Sequence, residues 1–294
     1  MNIIFGGNGF IGKNLSLEGL RPSKQECDLE DLESTISFLN NFIKEKELNI
    51  INLAAYVAGF TFNKDHNVEM LYKNSLIALN VIFAIKKLKL NPYYIYTSSV
   101  CAYKDGNDLE EKIFDFRPNN FNYGYGISKR LGINALESLA LDIPNFKYAV
   151  LVPTNMYGKY DNFDENTSHV IPNLIRKIYN AKDSVEILGN ANNKRDFLYA
   201  EDLSKIINIF LRHKFNGIYN ASTNQTVSIL ELANKIKDIL KYKHKFIYNI
   251  DGEPQIRKTS NESLMKLIGN FKFTNLDEGL KEAIKYYEIQ LAVK

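Results

Sequence analysis

Tyr125 and Lys129 lie four residues apart in Tyr125-Gly126-Ile127-Ser128-Lys129, a spacing that sets both side chains on one helix face. Tyr125 is the only one of the 18 tyrosines with a lysine four residues on. A phenol with a pKa near 10 is a poor acid–base group at neutral pH, and a neighbouring ammonium stabilises its phenolate. Upstream, Ser98-Ser99-Val100-Cys101 follows an apolar run ending at Thr97. Ser99 is placed to hold a carbonyl oxygen while Tyr125 exchanges a proton with that oxygen and a hydride reaches the attached carbon. The order is right for this chemistry: serine after a strand, then tyrosine and lysine one strand and one helix later.

A hydride donor is implied at the N-terminus, where Asn2–Phe5 runs straight into Gly6-Gly7-Asn8-Gly9-Phe10-Ile11-Gly12. Glycines at 6, 9 and 12 permit a tight turn, close approach of backbone to a pyrophosphate, and close packing of the next helix. The backbone at Phe10 and Ile11 then offers free N–H groups to phosphate. Arg21 and Lys24, in Leu20-Arg21-Pro22-Ser23-Lys24, stand where an acid would hold the ribose of NAD. Two bases suit the 2′-phosphate of NADP(H).

The positioning elements alternate. Strands are predicted at Asn2–Phe5, Ile50–Leu53, Tyr93–Thr97 and Tyr148–Val152, with helices near Ile11–Leu17, Leu32–Lys44, Met70–Lys87 and Ile127–Leu141. That rhythm implies βαβ units and a parallel sheet. A short, soft second strand is expected near Arg21. After the polar loop 159–168 come a helix near Val170–Ala181, short strands at Glu186–Leu188, Phe197–Tyr199 and Gly217–Asn220, and helices near Ile229–Leu240 and Leu276–Tyr287. The chain divides into residues 1–158, to which 184–222 returns, and a smaller lobe of 159–183 with 223–294.

Composition excludes several classes. Lys plus Arg total 37 against 34 for Asp plus Glu, a net charge of +3, so no basic face for nucleic acid is implied. Apolar runs such as Ile50–Ala55 fall short of a membrane span, and the start lacks the regions of a signal peptide. Two cysteines and four histidines show no metal-ligand spacing. The reading is a cytoplasmic α/β protein that acts on a small molecule, with no metal, membrane or nucleic-acid partner.

Together these features resemble the extended short-chain dehydrogenase/reductase family, and within it the GDP-L-fucose synthases. Further motifs carry the resemblance: Asp28-Leu29, Asn52-Leu53-Ala54-Ala55, Pro153-Thr154-Asn155-Met156-Tyr157-Gly158, Asp161-Asn162-Phe163 and Ser168-His169-Val170-Ile171-Pro172. It implies a Rossmann-type doubly wound parallel sheet with a smaller C-terminal α/β substrate lobe, and a homodimer formed through the helices after the third strand and Tyr125. Asp28 and Leu29 are implied at the adenine, Leu53, Ala54, Ala55, Pro153 and Met156 along the cofactor, and Asn155 near the nicotinamide and substrate. Cys101 and His169 are implied as the pair that epimerises carbons 3 and 5 of a 4-keto sugar, whose ketone acidifies those positions. Lys177, Arg195 and Arg257 are implied at the GDP diphosphate, and Leu188 beside the nucleotide sugar.

The sequence departs from that pattern around the sugar. Leu188 replaces the usual Trp, Lys159-Tyr160 replaces Pro-His, Arg117-Pro118 replaces Glu-Pro, and the segment before Asp28 is shortened. The reading is NADPH-dependent reduction at carbon 4 of a GDP-4-keto-6-deoxy sugar. The alternative is a carbon-4 reductase without epimerase activity that takes a GDP-4-keto-heptose. An NADP-sensing protein without activity would not need Ser99, Tyr125 and Lys129, and a dehydratase would carry acids where Val100 and Cys101 stand.

Overall fold

The computed structural model describes residues 1–57, 62, 65–104, 107–243 and 245–292. In chain order the first half comprises β1 (Asn2–Phe5), α1 (Phe10–Lys13), α2 (Leu32–Asn40), β2 (Asn49–Asn52), α3 (Asn67–Lys87), β3 (Tyr93–Thr97), β4 (Asn107–Asp108), α4 (Tyr123–Asp142), β5 (Tyr148–Pro153) and β6 (Asn155–Tyr157). The second half comprises α5 (Val170–Asn180), β7 (Val185–Asn190), β8 (Lys194–Arg195), β9 (Phe197–Tyr199), α6 (Ala200–His213), β10 (Gly217–Ala221), β11 (Val227–Ser228), α7 (Ile229–Leu240), β12 (Phe246–Asn249), β13 (Lys258–Thr259), α8 (Glu262–Ile268) and α9 (Leu276–Ala292).

The central sheet is parallel, in the order β1-β2-β3-β5-β10. Its strands are apolar on both faces because helices cover both. Ile3, Phe5, Ile50, Tyr94 and Tyr96 meet α2, α3 and α4 through Leu39, Val81 and Leu136. The alternating residues Ile4, Ile51, Tyr93, Ile95 and Leu151 meet α6 and α8 through Leu203, Ile207, Phe210 and Leu264. This is the doubly wound α/β sheet.

A second core joins α5, β7, α7 and α9 through residues such as Ile175, Ile187, Leu232 and Ile284. The chain passes between the two cores more often than the sequence indicates. β7, placed by the sequence with the large sheet, pairs in parallel with β12. β10 does enter the large sheet, and α8 packs there too through Leu264. Short amphipathic segments carry no mark of which core they cover, and packing partners decide it.

The second strand shrinks to a single bridge. Leu20 pairs with Ile3, its N–H donating to Asn2 O and its carbonyl accepting from Ile4 N. Pro22 has no N–H to extend the ladder. The first helix likewise spans one turn, Phe10–Lys13, rather than reaching Leu17. By length and composition α3 could cross a membrane. One face of it packs inside through Met70, Ile77, Val81 and Ile85.

Candidate active site

The carboxyl ends of the central strands open into one cleft of about 1120 Å³. Ser99 follows β3, and its hydroxyl accepts from Cys101 N at 3.2 Å, capping a 3₁₀ turn over Val100–Ala102. Tyr125 stands in the first turn of α4, which starts at Tyr123, earlier than the sequence pattern indicates. Lys129 sits one turn on, 3% exposed. Ser99, Cys101, Tyr125, Lys129 and His169 all line the cleft.

Their electrostatics differ from the sequence expectation in one respect. The Tyr125 phenol is raised, not lowered: burial dominates, the nearby Cys101 adds to it, and a hydrogen bond with Ser99 opposes it. Burial also lowers the Lys129 ammonium to about 8. Lys129 Nζ donates to the Thr97 carbonyl at 2.9 Å and lies 5.5 Å from the centre of the Tyr125 ring. The phenol is thus a loaded proton donor at neutral pH, with a cation near enough to stabilise the phenolate it leaves. His169, the N-cap residue of α5, opens to the cleft, yet the enclosing walls hold its pKa below the ordinary imidazole value.

At the nucleotide end, Gly6, Gly9, Phe10 and Ile11 line the cleft. Gly6 has φ +74°, and a Cβ there would lie 2.7 Å from Ala54 N. A Cβ at Gly12 would run into the Gly7 carbonyl, so Gly12 serves the packing of the turn and does not itself face the cleft. Gly9 faces it with only Gly6 O close by, leaving backbone bare for a phosphate. Asp28, Leu29, Leu53, Ala54, Ala55, Pro153, Asn155 and Met156 continue the same wall. Asn155 is fixed there by Asp196, whose carbonyl accepts from its side chain at 2.7 Å.

Arg21 is a correction. The sequence places it at the 2′-phosphate, but its guanidinium donates to the carbonyls of Gly7, Gly12, Leu15 and Leu17. The one-turn α1 and the chain on either side bring these four carbonyls together, and Arg21 bonds them all; that of Gly12 also accepts from Leu15 N at 3.1 Å. It does not line the cleft. Lys24 does, 65% exposed, in ion pairs with Glu30 at 2.8 Å and Asp28 at 3.6 Å.

Of the three bases implied at the diphosphate, all line the cleft but not all point into it. Lys177 holds only a long contact, 3.4 Å, to Glu186 O. Arg195 is braced against Gln255 by donation to its carbonyl at 2.8 Å and to its side-chain oxygen at 3.1 Å. Arg257 is engaged by the protein itself, its Nε donating to Asp108 at 2.9 Å and its Nη2 to Val100 O at 2.6 Å. Leu188, at the end of β7, is 70% exposed on the cleft wall.

One base was missed. Arg176 lines the cleft with its side chain 20% exposed, 3.7 Å from Glu165, and its Nε is buried with no hydrogen-bond partner. The signal was legible: His169, Asn173 and Arg176 recur at i, i+4 and i+7, opposite the buried stripe Ile171, Leu174, Ile175 and Ile178.

Residues 2–222 match the family described as NAD dependent epimerase/dehydratase. The chain belongs to that family. It is 30% identical to the GDP-L-colitose synthase of Yersinia pseudotuberculosis over 97% of each chain. The fold is shared with a GDP-L-fucose synthetase from Naegleria fowleri bound to NADP, at TM-score 0.86 and 22% identity, covering 99% of this chain and 93% of that one. It is shared too with MlghC, a GDP-mannoheptose C4 reductase from Campylobacter jejuni with NADP bound, at TM-score 0.84, 22% identity and 98% of each chain. The chain is therefore an enzyme of the epimerase/dehydratase family, built on a parallel sheet shared with these structures.

Proposed function

We propose that the protein reduces carbon 4 of a GDP-linked 4-keto-6-deoxy sugar with NADPH, and epimerises carbons 3 and 5 beforehand through Cys101 and His169. The observation that carries this reading is a single cleft with the bare glycine turn at one end, Arg176, Lys177 and Arg195 at the other, and the five proton-handling residues between them. The names of the similar proteins, colitose, fucose and mannoheptose enzymes acting on GDP sugars, support the substrate class.

NADPH supplies the hydride. Ser99 holds the carbonyl oxygen by hydrogen bond, and Tyr125, protonated at neutral pH, delivers its proton to that oxygen. Lys129 balances the phenolate. Before reduction, the ketone acidifies carbons 3 and 5. The Cys101 thiolate removes a proton on one ring face, and an imidazolium formed on His169 returns one on the other. Lys24, exposed at the adenosine end, is the base that supports NADP(H) over NAD(H).

Leu188 favours a second reading at the sugar. An exposed aliphatic side chain where the resemblance implies a Trp leaves room for a larger ring substituent, such as a 4-keto-heptose reduced without epimerisation. Val68, Tyr72, Leu79 and Phe83 form an exposed apolar row on α3, which packs along α4. It supports a homodimer through these helices, in a cytoplasmic enzyme of surface-polysaccharide synthesis.

The test is oxidation of NADPH and of NADH with GDP-4-keto-6-deoxymannose and with GDP-4-keto-heptose. Rapid oxidation of NADPH with either sugar is the expected result, and no turnover with both would overturn the reading.

A further inference from the structure

The turn that carries Cys101 is only three residues long, and a 3₁₀ turn of that length has little stability of its own. Its internal bonds are Ala102 N to Ser99 O at 2.9 Å and Tyr103 N to Val100 O at 3.0 Å. Two guanidiniums hold its ends. Arg257 donates from Nη2 to Val100 O at 2.6 Å and to Tyr103 O at 3.5 Å, while its Nε is anchored 2.9 Å from the fully buried Asp108 carboxylate. Arg130 donates from Nε to Ala102 O at 2.7 Å. Its other nitrogens donate to the carbonyls of Phe114, Phe116 and Asp115 at 3.3, 2.9 and 3.2 Å.

The middle of the turn is braced as well. A Cβ at Gly126 would collide with the Cys101 carbonyl, so only glycine lets α4 back directly onto it. The carbonyls at 100 and 102 are pinned by Arg257 and by Arg130 of α4, and the carbonyl at 101 is backed by Gly126 of the same helix. Burying two guanidiniums to do this carries a desolvation cost that apolar side chains would avoid. Reduction needs less of this bracing: Tyr125 and Lys129 are held by α4, and only Ser99, the N-cap of the turn, shares its position.

We propose that Arg130 and Arg257 are positioning residues for proton transfer at carbons 3 and 5, clamping the two ends of the turn so that the Cys101 thiol is held against the sugar. This rests on the epimerase reading above. The clamp acts on Cys101 inside the turn, whereas Tyr125 and Lys129 stay with α4 and Ser99 is touched only as the N-cap. It makes Cys101 a working base and assigns Arg257 to the turn rather than to the diphosphate.

The experiment compares two rates in the parent enzyme, Arg130→Lys and Arg257→Lys, substitutions that keep the charge and lose the forked geometry. The first is deuterium entry at carbons 3 and 5 in D₂O with NADP⁺. The second is NADPH oxidation with 4-keto sugar already equilibrated by the parent enzyme and freed of protein. A fall of at least fivefold in the ratio of deuterium entry to oxidation is expected in both variants, and a smaller change overturns the clamp. Should one variant fail to fold by circular dichroism, the other decides. Iodoacetamide alkylation of Cys101, read by peptide mass, is the independent measure: a rate within twofold of the parent in a folded variant also overturns it. No deuterium entry in the parent, with oxidation intact, sinks the epimerase reading itself, whereas deuterium entry unchanged by the substitutions sinks the clamp alone.

Discussion

Lys129 bonds the Thr97 carbonyl at 2.9 Å and stands 5.5 Å from the centre of the Tyr125 ring, so it acts on the phenol through space and not by a shared hydrogen bond. The phenol is raised by burial and the ammonium lowered to about 8. Tyr125 therefore keeps its proton across the neutral range, and Lys129 loses its charge first as pH rises. The kcat/KM for reduction should fall as pH rises through about 8, because only the protonated lysine balances the phenolate. A profile flat from pH 7 to 9.5 would contradict this.

Tyr125→Phe removes the proton donor while keeping the ring. General acid catalysis is worth roughly 10²- to 10⁴-fold, so kcat should drop at least ~100-fold with little change in the Kd for NADPH. Steady-state rates with a fluorescence titration of the cofactor check both halves.

Arg21→Leu tests the staple behind the glycine turn. Four backbone carbonyls lose a charged donor, each such bond contributing about 1.5 kcal/mol or more. Urea unfolding should show a loss of ~3 kcal/mol or more, with weaker binding of NADPH and NADH alike. A selective loss of NADPH binding with unchanged stability would return Arg21 to the 2′-phosphate.

If Arg176 meets the nucleotide sugar as proposed, Arg176→Gln should raise KM for that sugar ~10-fold or more and leave the Kd for NADPH within twofold. Equal effects on both ligands would argue against that placement.

Asp161 predicts a pH dependence of stability. Its carboxyl is 9% exposed, one oxygen has no partner, and burial raises its pKa from 3.8 to about 7. The folded state thus binds this proton more tightly than the unfolded chain. The contribution is fully present below pH 3.8 and is lost as pH rises through about 7, amounting to ~4 kcal/mol at most. Relative to the parent, Asp161→Asn should gain in melting temperature between pH 5 and 8. An equal pH dependence of the two proteins would refute the assignment.

Local spacing made much of this protein legible in its sequence. The four-residue interval from Tyr125 to Lys129, the serine directly after a strand, and the glycines after β1 are constraints within one turn or one loop. The alternation of strands and helices then carries them to the same end of one sheet. The shapes of α1 and of the strand at Leu20 were less legible, because each is too short for periodicity to reveal.

The destination of the long cationic side chains belongs to the tertiary structure. Arg21 and Arg257 read in sequence as bases for phosphate, yet they, like Arg130, end on main-chain carbonyls. Those carbonyls come within reach because the first helix stops after one turn and the Cys101 turn after three residues; Gly12 O and Val100 O among them also accept a backbone N–H. A guanidinium goes where the packed fold gathers carbonyl oxygens within its reach, and that arrangement exists only once the chain has folded.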